Sequence, residues 1–315
     1  MRMSIRMPMD VDDRVEFQNG AAVRAMAQAI EAAGIDACFI TEHPAPTTVW
    51  RQSGGHDALD PFAGLAFVAC ATTRLKLHTN LVVLPYRNPF LTAKSAATLD
   101  VLSDGRLIMG AGVGYLQGEY EALGVDFAAR GALMDEAIET MKAAWGETEV
   151  VREGRGFNAR GNLPRPRPVQ TPHPPIWAGG NSERAMRRAA ELCDGWSPMF
   201  AGEAMSKRAG TDQITSHEDL RAKIETLRGR LASVGRSRPF DICIGPQNQL
   251  QACTRDAAER MVDELGQLAK LGVTWTFCGV PAPNRAAFLE NVQWFGEEVV
   301  PKVHAIPPGP SLVEG

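Results

Sequence analysis

Short apolar runs alternate with longer amphipathic segments about eight times along this chain. Runs of strand length, rich in β-branched residues, fall near 4–8, 37–42, 75–84, 107–112, 175–179, 195–199, 240–246 and 273–279. Segments of helical periodicity lie between and after them, near 19–33, 61–73, 89–103, 118–145, 183–193, 217–234, 255–271 and 285–299. Eight strand–helix repeats predict a parallel sheet closed into a (β/α)8 TIM barrel, one domain over residues 1–315.

Local chemistry supports several of these boundaries. Asp60-Pro61 and Asn88-Pro89 each place a capping side chain before a proline, which costs no hydrogen bond at the first helical position. Gly34, Gly105 and Gly272 stand where helices should end in a left-handed turn, and Ser216 with Asp219 resembles a capping box. The region about 146–174, between the fourth helix and the fifth strand, is rich in proline and arginine. It reads as an insertion that packs on the barrel or covers its mouth.

Composition narrows the function classes. A chain of 315 residues with 44% hydrophobic content can bury a large core. A net charge of −4 leaves no electrostatic footprint for nucleic acid, so a small-molecule substrate is expected. No stretch has signal-peptide character and none reaches the roughly 18 apolar residues of a membrane span, which predicts a soluble, cytoplasmic protein. The six cysteines are scattered, with no C-x-x-C pair or Cys/His cluster, and read as buried thiols rather than disulfides or metal ligands.

In a barrel of this kind the active site lies at the carboxyl ends of the strands. There the sequence places Glu42-His43 after the second strand, Thr79-Asn80 late in the third, Gly110 to Tyr115 after the fourth, and Gly179-Gly180-Asn181-Ser182 after the fifth. His43 is the best candidate for proton transfer, because histidine titrates near neutrality, with Glu42 expected to face the other way. The glycine pair with Asn181 and Ser182 precedes a helix, where unpaired N–H groups and the helix dipole favour a phosphate; close strand–helix packing is the competing explanation. Gly110-Ala111-Gly112-Val113-Gly114 lacks the third glycine of a dinucleotide fingerprint, and reads instead as a wall that a flat ring can approach. Trp50, Arg51 and His56 are candidates for closing the substrate end. H-x-H, G-x-S-x-G, a P-loop and a strand-end lysine are all missing, which favours a bound redox cofactor over a protein nucleophile or metal.

The runs NLVVLPYRNPFLTAKSAATLDVLSDGRLIMGAGVGYLQGEYEALG and PPIWAGGNSERAMRRAAELCDGW closely resemble the bacterial luciferase-like monooxygenase superfamily, and within it the branch of coenzyme F420-dependent oxidoreductases. The resemblance implies a barrel that is usually a homodimer, holds a deazaflavin or flavin at its carboxyl face, and depends on an F420-reducing enzyme or a flavin reductase to supply reduced cofactor. It implies that His43 stands beside the ring and that Thr79 and Asn80 lie in a third-strand bulge supporting it, where relatives often carry a non-prolyl cis bond. It further implies that Gly112, Val113, Gly114 and Tyr115 form a cofactor wall, and that Gly179, Gly180, Asn181 and Ser182 form the phosphate loop. Relatives that oxidise sugar phosphates carry an acidic residue directly after the fourth-strand glycines; here that position is Tyr115, with Glu119 further on. The expected activity is hydride transfer between F420 and a small organic substrate. The alternatives are an FMN-dependent two-component monooxygenase and a cofactor-binding protein without turnover. The arginines at 152, 155, 160, 165 and 167 are a possible basic mouth for the deazaflavin's oligoglutamate tail.

Overall fold

The computed structural model describes residues 1–9 and 15–313. Its strands are β1 (Arg2–Arg6), β2 (Ala37–Ile40), β3 (Lys76–Val83), β4 (Leu107–Gly112), β5 (Val150–Gly154), β6 (Phe157–Asn162), β7 (Ile176–Gly179), β8 (Gly195–Ser197), β9 (Asp241–Ile242) and β10 (Trp275–Cys278). Its helices are α1 (Gly20–Ala32), α2 (Thr48–Gln52), α3 (Pro61–Ala71), α4 (Pro89–Leu102), α5 (Gln117–Ala122), α6 (Arg130–Ala144), α7 (Glu183–Leu192), α8 (Glu203–Ala209), α9 (His217–Ser233), α10 (Arg255–Lys270), α11 (Arg285–Glu298) and α12 (Val300–His304). Eight strands pair in parallel in the order β10-β1-β2-β3-β4-β7-β8-β9. The seam between the two end strands is closed by Thr274 N–H to Ile242 O (3.1 Å) and Ile244 N–H to Trp275 O (3.2 Å). The result is the expected TIM barrel.

The capping chemistry holds the helices where the sequence put them. Asp60 accepts from Ala63 N–H, Asn88 accepts from Phe90 N–H, and Ser216 with Asp219 forms a complete capping box on α9. Gly34, Gly105 and Gly272 all have positive φ. One expected helix, 118–145, is instead two: the chain leaves α5 through Gly124 at φ 70°, and α6 restarts at Arg130. The region 146–174 contains the antiparallel β5–β6 hairpin, which packs on the outside of the barrel through Phe157 against Phe90 (5.5 Å between ring centres) and Arg152 against Glu139. Helices α2, α8 and α12 are short segments that periodicity does not reveal. Four cysteines are buried as expected, while Cys253 is half-buried and Cys70 is exposed.

Most apolar burial lies between sheet and helices. A second cluster fills the barrel interior, where Ala37, Ile108, Trp177, Cys243 and Trp275 form the floor beneath the carboxyl-end loops. His78 belongs to this floor. Its ring lies 5.0 Å from that of Trp177, Nδ1 is 3.2 Å from the Ser4 hydroxyl, and the residue is fully buried. Burial lowers its pKa to about 3 from 6.5. The unfolded chain therefore binds a proton that the folded chain refuses. The stability His78 allows is complete above about pH 6.5 and drains as pH falls toward 3, at up to ~1.4 kcal/mol per pH unit. In urea melts across that window, His78→Gln should flatten the acid limb. An acid limb identical to that of the parent chain would contradict this account.

Candidate active site

A cavity of about 1260 Å³ opens above this floor, at the carboxyl ends of the barrel strands. Of the residues singled out in the sequence, His43, Asn80, Gly112, Val113, Gly114, Tyr115, Gly179, Gly180 and Ser182 line it. Thr79 and Asn181 stand behind the wall. The Thr79 hydroxyl donates to Gly110 O (2.8 Å). The Asn181 amide donates to Met199 O and Asp212 O, at 2.8 and 2.9 Å, and its oxygen accepts from Met199 N–H at 2.9 Å. Asn181 thereby ties the glycine loop to the segment that carries α8.

The third strand is irregular where it meets the fourth: the pairing shifts between Thr79 and Val82, and the Asn80–Leu81 peptide is cis. Leu81 there fills the space the glycines leave. A Cβ on Gly179 would lie 2.2 Å from Leu81 Cδ1, and one on Gly112 would lie 3.0 Å from the same atom. Gly110 and Gly112 on β4 and Gly179 on β7 thus make room for Leu81 and the third strand, while Gly112 and Gly179 also border the cavity. Gly114 differs, since its φ of 68° is a conformation that side chains disfavour.

The glycine loop before α7 is also partly committed. Gly180 N–H donates to Ser197 O (3.2 Å) and Asn181 N–H to the Thr211 hydroxyl (2.8 Å), while Ser182 caps α7 by accepting from Ala185 N–H (3.3 Å). Among the described residues, the N–H groups of Ser182, Glu183 and Arg184 have no acceptor. They present the positive end of α7 to the cavity. Arg184 and Arg130 line the same corner, with Arg188 held there by Asp135 and by Gly131 O. The arginines of 146–174 do not reach the cavity: Arg152 pairs with Glu139, Arg167 with Glu147, and Arg165 with backbone carbonyls.

On the opposite wall, Glu42 and His43 both border the cavity. The Glu42 carboxylate turns away into a buried pairing, accepting from Val83 N–H (2.6 Å) and from Arg87 Nε (2.9 Å) and Nη2. Burial pushes its pKa up, against the pull of Arg87 and of the Val83 N–H. The His43 ring packs on Trp50 (4.4 Å between centres) and meets His56 edge-on at 4.9 Å. Its Nδ1 is buried, 3.5 Å from Glu119 Oε2, which leaves Nε2 as the ring nitrogen that meets the cavity. Glu119 is buried, accepts from the Tyr86 hydroxyl at 2.8 Å and accepts from Ala45 N–H at 3.3 Å. Burial, reinforced by Glu119, pushes the Tyr86 pKa up and keeps the hydroxyl protonated as a donor. Of the residues expected to close the substrate end, His56 borders the cavity, Trp50 lies behind His43, and Arg51 pairs with Asp57 at 2.8 Å.

Sequence reasoning noted Glu119 only as a displaced acid. What brings it to His43 is the turn at Gly114 and the short α5, neither of which leaves a periodic trace. It also missed the segment 200–215, which supplies Gly210, Thr211 and Asp212 to the cavity and is pinned by the Ala201–Ile214 bridge.

Comparison with known proteins adds kinship. The model of the luciferase-like monooxygenase family matches residues 1–298. An uncharacterized protein of Mycobacterium tuberculosis is 30% identical over 262 residues, covering 79% of this chain and 80% of that protein. The phthiodiolone/phenolphthiodiolone dimycocerosates ketoreductase of Mycobacterium tuberculosis is 28% identical over 264 residues, covering 81% of this chain and 62% of that protein. Among solved structures, the coenzyme F420-dependent tetrahydromethanopterin reductase of Methanopyrus kandleri superposes with a TM-score of 0.71 at 16% identity, over 95% of this chain and 98% of that one. The oxygenating constituent of the 3,6-diketocamphane monooxygenase from Pseudomonas putida, in complex with FMN, superposes with a TM-score of 0.74 at 16% identity, over 98% and 99%. At that identity the two structures establish a shared fold.

Proposed function

Because the chain belongs to the luciferase-like monooxygenase family, we propose that it is an oxidoreductase that binds coenzyme F420 and transfers hydride between it and a small organic substrate. The observation that carries this reading is the corner formed by the free N–H groups of α7 with Arg130 and Arg184, set across the cavity from His43. A single phosphate needs only the helix end. Two further guanidinium groups suit a cofactor whose tail continues into carboxylates, which favours the deazaflavin over FMN. The ketoreductase relative and the F420-dependent neighbour support the same direction.

When bound, the deazaflavin supplies a two-electron hydride donor or acceptor. The chain's own part is the proton. In the oxidation of an alcohol His43 Nε2 would take the hydroxyl proton, and in the reverse direction it would return that proton to the carbonyl oxygen. Ser182, Glu183 and Arg184 would hold the anionic end through their N–H groups, Leu81 would contribute to the cavity wall, and the segment 198–215 would limit water at the mouth. The reading includes a homodimer and an F420-reducing enzyme as the supplier of reduced cofactor.

A fluorescence titration of the apoprotein with F420 and with FMN at one fixed salt concentration tests the reading. F420 should bind at least tenfold more tightly, and Arg184→Ala should erode that preference while changing FMN affinity less. Tighter binding of FMN would replace hydride transfer by two-component monooxygenation. Binding of neither would remove the cofactor assignment.

A further inference from the structure

We propose that Glu119 is the positioning residue for His43, holding its neutral imidazole as the Nδ1–H tautomer so that a bare Nε2 faces the cavity; this rests on the functional reading above. Three observations converge on the buried carboxylate. His43 Nδ1 is buried, has no hydrogen-bond partner at close range, and has Glu119 Oε2 at 3.5 Å. The Tyr86 hydroxyl donates to that same oxygen at 2.8 Å, and Ala45 N–H donates to Oε1 at 3.3 Å. A carboxylate is an acceptor only, so Nδ1 lowers its energy there by carrying the proton. Which imidazole nitrogen is protonated follows from the partner of the other, and a neutral ring with Nδ1–H has a proton-accepting Nε2. When Nε2 takes a proton, the carboxylate also faces the resulting imidazolium.

The other groups around the ring do not compete for Nδ1. Trp50 meets its face, while His56 and Tyr115 meet it edge-on with ring centres 4.9 and 6.3 Å away. Arg208 reaches this cluster over the Trp50 ring, at 5.8 Å from its centre. Glu42, the adjacent residue, is committed to Arg87 and Val83 N–H. Glu119 also links three loops, since Ala45 follows β2, Tyr86 follows β3 and Glu119 itself follows β4. The carboxylate therefore sets both the tautomer of the ring and the place of the loop that bears it.

The test is the nitrogen-15 spectrum of the histidine rings in the apoprotein, at a pH where His43 is neutral, with its signals identified by their loss in His43→Gln. The parent protein should show His43 Nδ1 as the protonated nitrogen and Nε2 as the bare one. Glu119→Ala should exchange the two, returning the ring to the Nε2–H form that free histidine prefers. Tyr86→Phe, which removes the competing donor and keeps the carboxylate, should retain Nδ1–H even if Glu119→Ala does not fold. An Nε2–H ring in the parent protein, loss of Nδ1–H in Tyr86→Phe, or an unchanged spectrum in folded Glu119→Ala would each overturn the proposal. The spectrum needs no cofactor. If the apoprotein binds neither F420 nor FMN, the functional reading fails while the assignment of Glu119 stands or falls on the spectrum alone.

Discussion

Arg87→Ala should destabilise the protein by about 3–5 kcal/mol, the cost of stranding a buried carboxylate without its partner. Glu42 is only 4% exposed, and among the described residues Arg87 is its sole cationic contact, reaching it with Nε and Nη2. The same guanidinium extends to Asp60 at 2.5 Å, the cap of α3, and lies over the Phe62 ring. Removing it loosens the start of α3, the loop after β3 and the end of β2 together. Arg87→Lys should recover only part of the loss, because an ammonium cannot reproduce the two-pronged contact. The pH dependence has a definite sign. Burial already raises the Glu42 pKa, and without Arg87 the folded chain favours the neutral carboxyl still more strongly. The deficit relative to the parent should therefore be largest near pH 8 and shrink as Glu42 takes up a proton at lower pH. Urea melts at two pH values measure this. A loss below about 1 kcal/mol at pH 8, of the size expected for a solvent-exposed pair, would show that Glu42 does not depend on Arg87.

Gly110→Ala should cost roughly 2–3 kcal/mol, as overpacking against backbone does. The added Cβ would sit 2.3 Å from Thr79 O, with His78 Nε2 and Leu81 Cδ2 each at 3.0 Å. A side-chain tip could swing aside, but the Thr79 carbonyl cannot move without disturbing the β3–β4 pairing at its bulge. The Thr79 hydroxyl bond to Gly110 O would shift with it. Gly229 and Gly266 provide the contrast, since a Cβ at either helical position meets nothing within 4 Å. Alanine there should stabilise by about 0.5–1 kcal/mol. Equal midpoints for Gly110→Ala and the parent would mean that the third strand yields more easily than its pairing suggests.

Glycine 110 also marks the limit of what the sequence disclosed. The alternation of apolar and amphipathic segments located all eight barrel strands, because each is buried on both faces and reads as a short apolar run. Caps at Asp60, Asn88 and Ser216 were legible because their acceptors act on N–H groups two or three residues away. The wall of the cavity was less so. That glycines crowd the fourth strand is visible in the letters, but that Leu81, thirty residues upstream, is what they make room for depends on strand pairing. The same holds for the arginines. Those of 146–174 stand out as a charged run, yet Arg152, Arg165 and Arg167 are spent on Glu139, Glu147 and backbone carbonyls, whereas Arg130 and Arg184, which border the cavity, come from helix starts in unremarkable surroundings. Glu119 meets His43 only because the barrel gathers the loops after β2 and β4, strands separated by β3, around one mouth.

The pairing of β1 with β10 has a consequence for how this molecule is made. Ser4 sits opposite Phe277, so the two strands that complete the cylinder stand 273 positions apart in the register. During synthesis β1 can pair with β2 early, but its other edge waits for almost the whole chain to leave the ribosome. Until then both open edges of the growing sheet offer unpaired amide and carbonyl groups to neighbouring chains. Closure therefore joins strands far apart in sequence, which slows folding and prolongs the exposure of those edges.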